Sequence, residues 1–194
     1  MRHMQDDFFD GLNEQQLEAV NHIDGPLLVL AGAGTGKTKV LTSRIANIIL
    51  NNHALPAQIM AVTFTNKAAR EMRQRVENMV NNISGMQIGT FHAISARILR
   101  NHYSYAGLQN NFIIIDIDDQ FRLIKKLLAE NHYDEKKVPV KNIAHIISSW
   151  KDKAITSNQL GADLQTTSIH KAAAHIYPLY QERLLQLNAV DFGD

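Results

Sequence analysis

Eight residues, Ala31-Gly-Ala-Gly-Thr-Gly-Lys-Thr38, constrain this chain more than any others. Glycines at alternate positions let a backbone turn tightly and aim successive N–H groups at one point. The run follows Leu27-Leu28-Val29-Leu30, which reads as a strand. It opens a segment in which Leu41, Ile45, Ile48 and Ile49 recur at helical spacing. A strand, a glycine-rich turn and a helix make a phosphate cradle, because the helix adds its positive dipole end to the loop N–H groups. In such a cradle Lys37 reaches the β- and γ-phosphates and the Thr38 hydroxyl takes a place on Mg²⁺. The pattern departs from the general form only at Ala31, which stands where a glycine is usual. Gly32, Gly34 and Gly36 give G-x-G-x-G, so a dinucleotide fingerprint is excluded by spacing.

The rest of the composition narrows the field mainly by exclusion. With 194 residues, 45% of them hydrophobic, the chain can bury one sizeable core, or a core with a smaller appendage. There is no cysteine, which removes disulfides, thiolate nucleophiles and cysteine-held zinc. No apolar run approaches the ~20 residues a membrane span requires, and the N-terminus has no apolar signal region. A cytoplasmic protein without a membrane partner is therefore expected. A net charge of +1 favours no partner in bulk, so any nucleic-acid surface must come from local arrangement.

Along the chain, Asn13 to Asn21 reads as a short helix leading into the strand at Leu27. The helix after the loop is expected to end near Asn51-Asn52. Ile59 to Val62 makes the next strand and Ala68 to Val80 the next helix. Gln87 to Thr90 makes a weaker third strand, followed by a helix from about Ala93 to His102. This alternation implies an α/β fold with a parallel sheet, whose ligands sit at the carboxyl ends of the strands. Loops 31–38, 63–67 and 90–92 meet that condition. After about Tyr105 the alternation stops. Phe121, Ile124, Leu127 and Leu128 form one helical stripe, and Ile143, Ile146, Ile147 and Trp150 a second. Ile169, Ala173, Ile176, Tyr180, Leu184 and Leu187 form a third, with a kink expected near Pro178. This half reads as all-helical.

Two strand ends carry candidate chemistry. Phe64, Thr65, Asn66 and Lys67 offer an aromatic ring, a hydroxyl, an amide and an ammonium to one nucleotide, with Lys67, Arg70 and Arg73 on one helical face. The alternative is a buried phenylalanine and a Thr/Asn helix cap. Thr90, Phe91 and His92 follow the third strand, with Arg97 and Arg100 beyond them. Phe112-Ile113-Ile114-Ile115-Asp116 imitates a strand bearing a metal-binding carboxylate, but Ile117 follows it, and Asp118-Asp119-Gln120 suits the cap and first turn of the Phe121 helix. The histidines show no metal-ligand spacing.

Leu12-Asn13-Glu14-Gln15-Gln16 ahead of Ala19-Val20, then Ala31–Thr38, Thr63–Ala69 and Gly89–His92, resemble in that order the superfamily 1 DNA helicases of the UvrD/Rep/PcrA type. The closing Ala189-Val190-Asp191-Phe192-Gly193-Asp194 resembles their D-F-D-D segment, with Gly193 in place of an aspartate. The resemblance implies a RecA-like P-loop NTPase sheet, partial here (1–105), with an inserted all-helical subdomain (106–188) and a return to the RecA-like domain (189–194). It implies ATP-driven 3′ to 5′ translocation on single-stranded DNA and unwinding of partly duplex DNA, in repair or replication. Gln16 would read the adenine, Ala31, Gly32, Ala33, Gly34, Thr35, Gly36, Lys37, Thr38 and Lys39 would hold the phosphates, and Thr38 would meet Mg²⁺. Phe64–Lys67 and Thr90–His92 would line the DNA track. The family's acidic Mg²⁺/water-activating pair and its arginine finger are not among these residues, which implies an N-terminal fragment that binds ATP without useful turnover. Two other outcomes stay open: a nucleotide-dependent DNA-binding module without catalysis, and the N-terminal half of a helicase–nuclease.

Overall fold

In the computed structural model, residues 9, 11–164 and 166–194 are described. The chain divides into two compact units, one ending at Arg97 and the other running Ile98–Asp194.

The first unit opens with α1 (Glu14–Asn21). Asn13 starts it with a reciprocal cap: its side-chain oxygen accepts from the Gln16 N–H, and its own N–H donates to Gln16 Oε1, both at 2.9 Å. Val20 and Ala19 then pack against Val40 of α2 (Lys37–Leu50). The sheet consists of β1 (Met60–Thr63) and β2 (Gln87–Thr90), joined through α3 (Asn66–Met79). The strands are parallel, in a register that runs from Met60 opposite Gln87 to Thr63 opposite Thr90. Ala61 and Ile88 share a core with Ile45 and Ala46 of α2 and Ala69, Met72 and Val76 of α3. Thr65 Oγ1 caps α3 by accepting from the Ala68 N–H at 3.1 Å.

The strand expected at Leu27–Leu30 does not form. The run pairs with no strand among the described residues, and Leu28 and Leu30 are 80% and 86% exposed. Its composition suits a buried strand, but a strand exists only where a neighbour accepts and donates along it, and β1 and β2 pair only with each other. The helix that the glycine-rich loop should start does form, at Lys37.

The second unit takes over within α4 (Phe91–His102) and is built on α5 (Ile117–Glu130), α6 (Val140–Asp152) and α7 (Ser168–Gln186). The three expected stripes meet in one core that includes Ile124, Leu127, Ile143, Ile147, Ala173, Ile176 and Leu184, except that Leu187, expected at the end of the third, follows the last turn of α7 and is 55% exposed. Trp150 is buried there, as expected of a stripe residue. The α7 helix continues through Pro178. Two expectations need correction. This half is not all-helical: β3 (Ile113–Ile114) pairs in parallel with β4 (Ala189–Val190). The cap of α5 is Asp116, whose carboxylate accepts from the Asp119 N–H at 2.8 Å, while Asp118 and Asp119 fill the first turn. The helix starts at Ile117 because Asp116 caps it there, one turn ahead of the apolar stripe that begins at Phe121.

Candidate nucleotide and nucleic-acid site

The loop 31–38 is exposed over most of its length and is held by side-chain hydrogen bonds to its own carbonyls. Gly34 and Gly36 have φ of +77° and +80°, the left-handed region that a side chain disfavours. Gly36 is the residue before α2, and no side chain caps that helix, unlike α1, α3, α5 and α7. A helix start without a side-chain cap is where an acceptor from outside would be received. The Lys37 ammonium folds back to donate to the carbonyls of Ala31 and Gly32, at 3.1 and 2.5 Å. The Thr35 hydroxyl donates to the same Gly32 carbonyl at 2.8 Å. The Lys37 ammonium, once it leaves these carbonyls, and the helix start without a side-chain cap are the groups here that could donate to an oligophosphate. Ala31, Gly32, Ala33, Gly34, Thr35, Lys37 and Thr38 are exposed, whereas Gly36 and Lys39 are half-buried. Among the described residues there is no group of three or more acidic or histidine side chains placed to hold a metal. The residues present therefore suit Mg²⁺ only as it would arrive with a nucleotide, next to the exposed Thr38 hydroxyl.

Gln16 reaches this loop from α1. Its Nε2 donates to the Thr35 carbonyl at 2.9 Å while Oε1 accepts from Asn13.

The two strand ends come together more closely than their separation in sequence suggests. Thr63 lies opposite Thr90 in a parallel pair, so Phe64 and Phe91 follow from neighbouring strand ends. Phe64 is 97% exposed and Phe91 70%. The buried-phenylalanine reading of Phe64 is thereby overturned, although Thr65 is the helix cap of that alternative. Asn66, Lys67 and His92 are exposed as well. Lys67 sits 4.0 Å from Glu71, a solvent-facing pair of little strength. Thr90 Oγ1 accepts from the Ala93 N–H at 3.3 Å. The arginines nearby divide by role: Arg70 is exposed, while Arg73 turns to the Ile88 carbonyl at 3.5 Å. Arg97 donates to Gln87 Oε1 at 2.6 Å, and Arg100 stacks over the Phe112 ring at 4.5 Å.

A third cluster escaped the sequence. Asp191 Oδ2 accepts from Lys151 Nζ at 2.9 Å, from the Tyr180 hydroxyl at 2.8 Å and from Gln120 Nε2 at 3.1 Å. Asp194 Oδ1 accepts from Lys151 at 2.6 Å and from Gln181 at 3.0 Å. Each of α5, α6 and α7 thus sends a polar side chain to the end of β4. Burial alone would raise the Asp191 carboxyl, but the Lys151 charge and the hydrogen bonds from Lys151, Tyr180 and the Gly193 N–H outweigh it and hold it below the usual carboxylate value. Burial first, and then the Asp191 charge, push the Tyr180 phenol up. Gly193 has a spatial reason: a Cβ there would come within 3.0 Å of Lys151 Cδ. The sequence marked the segment 189–194 but not the helix residues that hold it, since Tyr180, Lys151 and Gln120 lie 11, 40 and 71 positions from Asp191.

A model of the UvrD/REP helicase N-terminal domain matches residues 12–194. The chain belongs to that family. It is 50% identical over 190 residues to a probable DNA helicase II homolog of Rickettsia felis, covering 97% of this chain and 29% of that protein. It is 42% identical over 193 residues to the DNA helicase II of Haemophilus influenzae, covering 97% of this chain and 26% of that protein. It is 40% identical over 195 residues to the ATP-dependent DNA helicase PcrA of Bacillus subtilis, covering all of this chain and 26% of that protein. The chain thus spans between a quarter and a third of the length of these relatives.

Proposed function

We propose that this chain is the nucleotide-binding and part of the DNA-binding portion of an ATP-dependent DNA helicase that moves 3′ to 5′ along single-stranded DNA. The sheet of β1 and β2 is then part of a RecA-like domain, and the bundle of α5, α6 and α7 the insertion within it. Lys37 and the N–H groups around Gly36 hold the β- and γ-phosphates of ATP, and Thr38 faces the Mg²⁺ that accompanies them. When bound, the metal neutralises phosphate charge. The chain's own part is to orient the phosphates through the backbone and to draw charge toward Lys37. Phe64 and Phe91 stack on bases of the strand, with Thr65, Asn66, Lys67, Thr90 and His92 beside them.

The observation that carries the nucleic-acid half of this reading is the pair of exposed rings on adjacent parallel strand ends. Two large apolar side chains left in water, where a sheet of this kind receives its ligand, favour a flat partner, and neighbouring strands ~4.8 Å apart space them for successive bases. Family membership supports the ATP half. Titrating a fluorescent oligothymidine against the chain tests the reading: binding should weaken in Phe64→Ala and in Phe91→Ala, and most in the double variant. Unchanged binding in the double variant would remove these rings from the DNA track.

A further inference from the structure

We infer that Gln16 is a positioning residue of the phosphate loop, acting on the phosphates through the Thr35 carbonyl whatever base the nucleotide carries. This rests on the reading of residues 31–38 as a phosphate site, and goes beyond recognition of adenine.

The argument starts from one peptide plane. The Thr35 carbonyl and the Gly36 N–H belong to the same peptide unit, and in a trans peptide they point in opposite directions. The hydrogen bond from Gln16 Nε2 to that carbonyl, at 2.9 Å, therefore fixes the direction of the Gly36 N–H, which it turns away from α1. That plane needs fixing. It lies between two glycines in the left-handed region, Gly34 and Gly36, where backbone rotation meets little resistance. Gln16 also closes on the loop sterically, since a Cβ on Gly36 would stand 3.1 Å from its Nε2.

Gln16 is held in turn. Its Oε1 accepts the Asn13 N–H at 2.9 Å, so the first turn of α1 anchors the amide at one end while the other end grips the loop. The result is a strut from a capped helix to the most adaptable peptide of the loop. The amide keeps a second hydrogen on Nε2 and a second lone pair on Oε1, so a base can be read by the same group without breaking the strut.

Inorganic tripolyphosphate separates the two roles, because it has phosphates and no base. Isothermal titration of the full chain with tripolyphosphate and with ATP should show both ligands weakened in Gln16→Ala, tripolyphosphate by about 2- to 12-fold for one neutral hydrogen bond and ATP by at least as much. Asn13→Ala serves as the control for the helix: it removes the side-chain cap of α1 but leaves the Asn13 N–H and the Gln16 strut, so it should lower the melting temperature and leave tripolyphosphate affinity within about twofold. Hydrogen exchange at Gly36 should quicken in Gln16→Ala alone. The inference is overturned if only ATP weakens, if tripolyphosphate binds more tightly, or if Asn13→Ala weakens tripolyphosphate as much as Gln16→Ala does. A parent chain that binds neither ligand would instead remove the phosphate-site reading on which it rests.

Discussion

Two lysines mark the difference between the two halves of the molecule. Lys37 is the exposed first residue of α2 and donates to two neutral backbone carbonyls. Lys151, with a side chain only 3% exposed, donates to two carboxylates and lies 5.1 Å from the centre of the Tyr180 ring. A carbonyl is a weaker acceptor than an anion, so Lys37 gains by exchanging its partners for a phosphate. Lys151 already has the stronger partners, and out of water it has nothing better to reach. The same ammonium group is thus recruitable in one setting and structural in the other, and exposure together with partner charge decides which.

The largest effect should come from Lys151→Ala. It leaves Asp191 and the partly buried Asp194 without a counter-charge, a loss of about 3–5 kcal/mol. Urea unfolding of the chain measures it, and a loss below 1 kcal/mol would erase the contrast between the lysines. Lys37→Ala should do the reverse: a melting temperature near that of the parent, with ATP affinity reduced about tenfold or more, as for hydrogen bonds to a charged group. Calorimetric titration of ATP against this variant checks it. Tyr180→Phe removes one hydrogen bond to the Asp191 carboxylate and should cost about 1.5–3 kcal/mol in the same urea assay. Phe64→Ala sharpens the other side, weakening oligothymidine by roughly 1–3 kcal/mol while stability stays put, because the ring is almost wholly in water.

The smallest effect is in acid. Asp191 titrates lower folded than unfolded, so its contribution is present above the usual carboxylate value and disappears as pH falls through the depressed folded value. Stability measured from pH 6 downward should therefore show a loss that is absent in Asp191→Asn. A flat difference between the two proteins would mean that the cluster is neutral on balance.

Local pattern carried much of the fold. The stripes of α5, α6 and α7 and the strands at Met60–Thr63 and Gln87–Thr90 follow from periodicity within a few residues of each side chain. What failed needed a partner from elsewhere. Leu27–Leu30 has the composition of a strand, but composition does not supply the neighbour that makes one. In the site, the glycine spacing of 31–38 and the residues at both strand ends could be read directly. Their adjacency could not, because the opposition of Thr63 and Thr90 is a property of register across 27 positions. The Gln16–Thr35 contact and the convergence on Asp191 were hidden for the same reason: hydrogen bonds between distant side chains leave no period in the sequence.

The open run at Leu27–Leu30 has a practical consequence for anyone handling this chain. Four consecutive apolar side chains, each more than 40% exposed on backbone that no strand covers, make an adhesive edge. Solutions should scatter more light as concentration rises, and replacing Leu28 and Leu30 by lysine should clear them without lowering the melting temperature. Arginine or a mild detergent, which covers exposed apolar side chains, should have the same clearing effect on the unaltered chain.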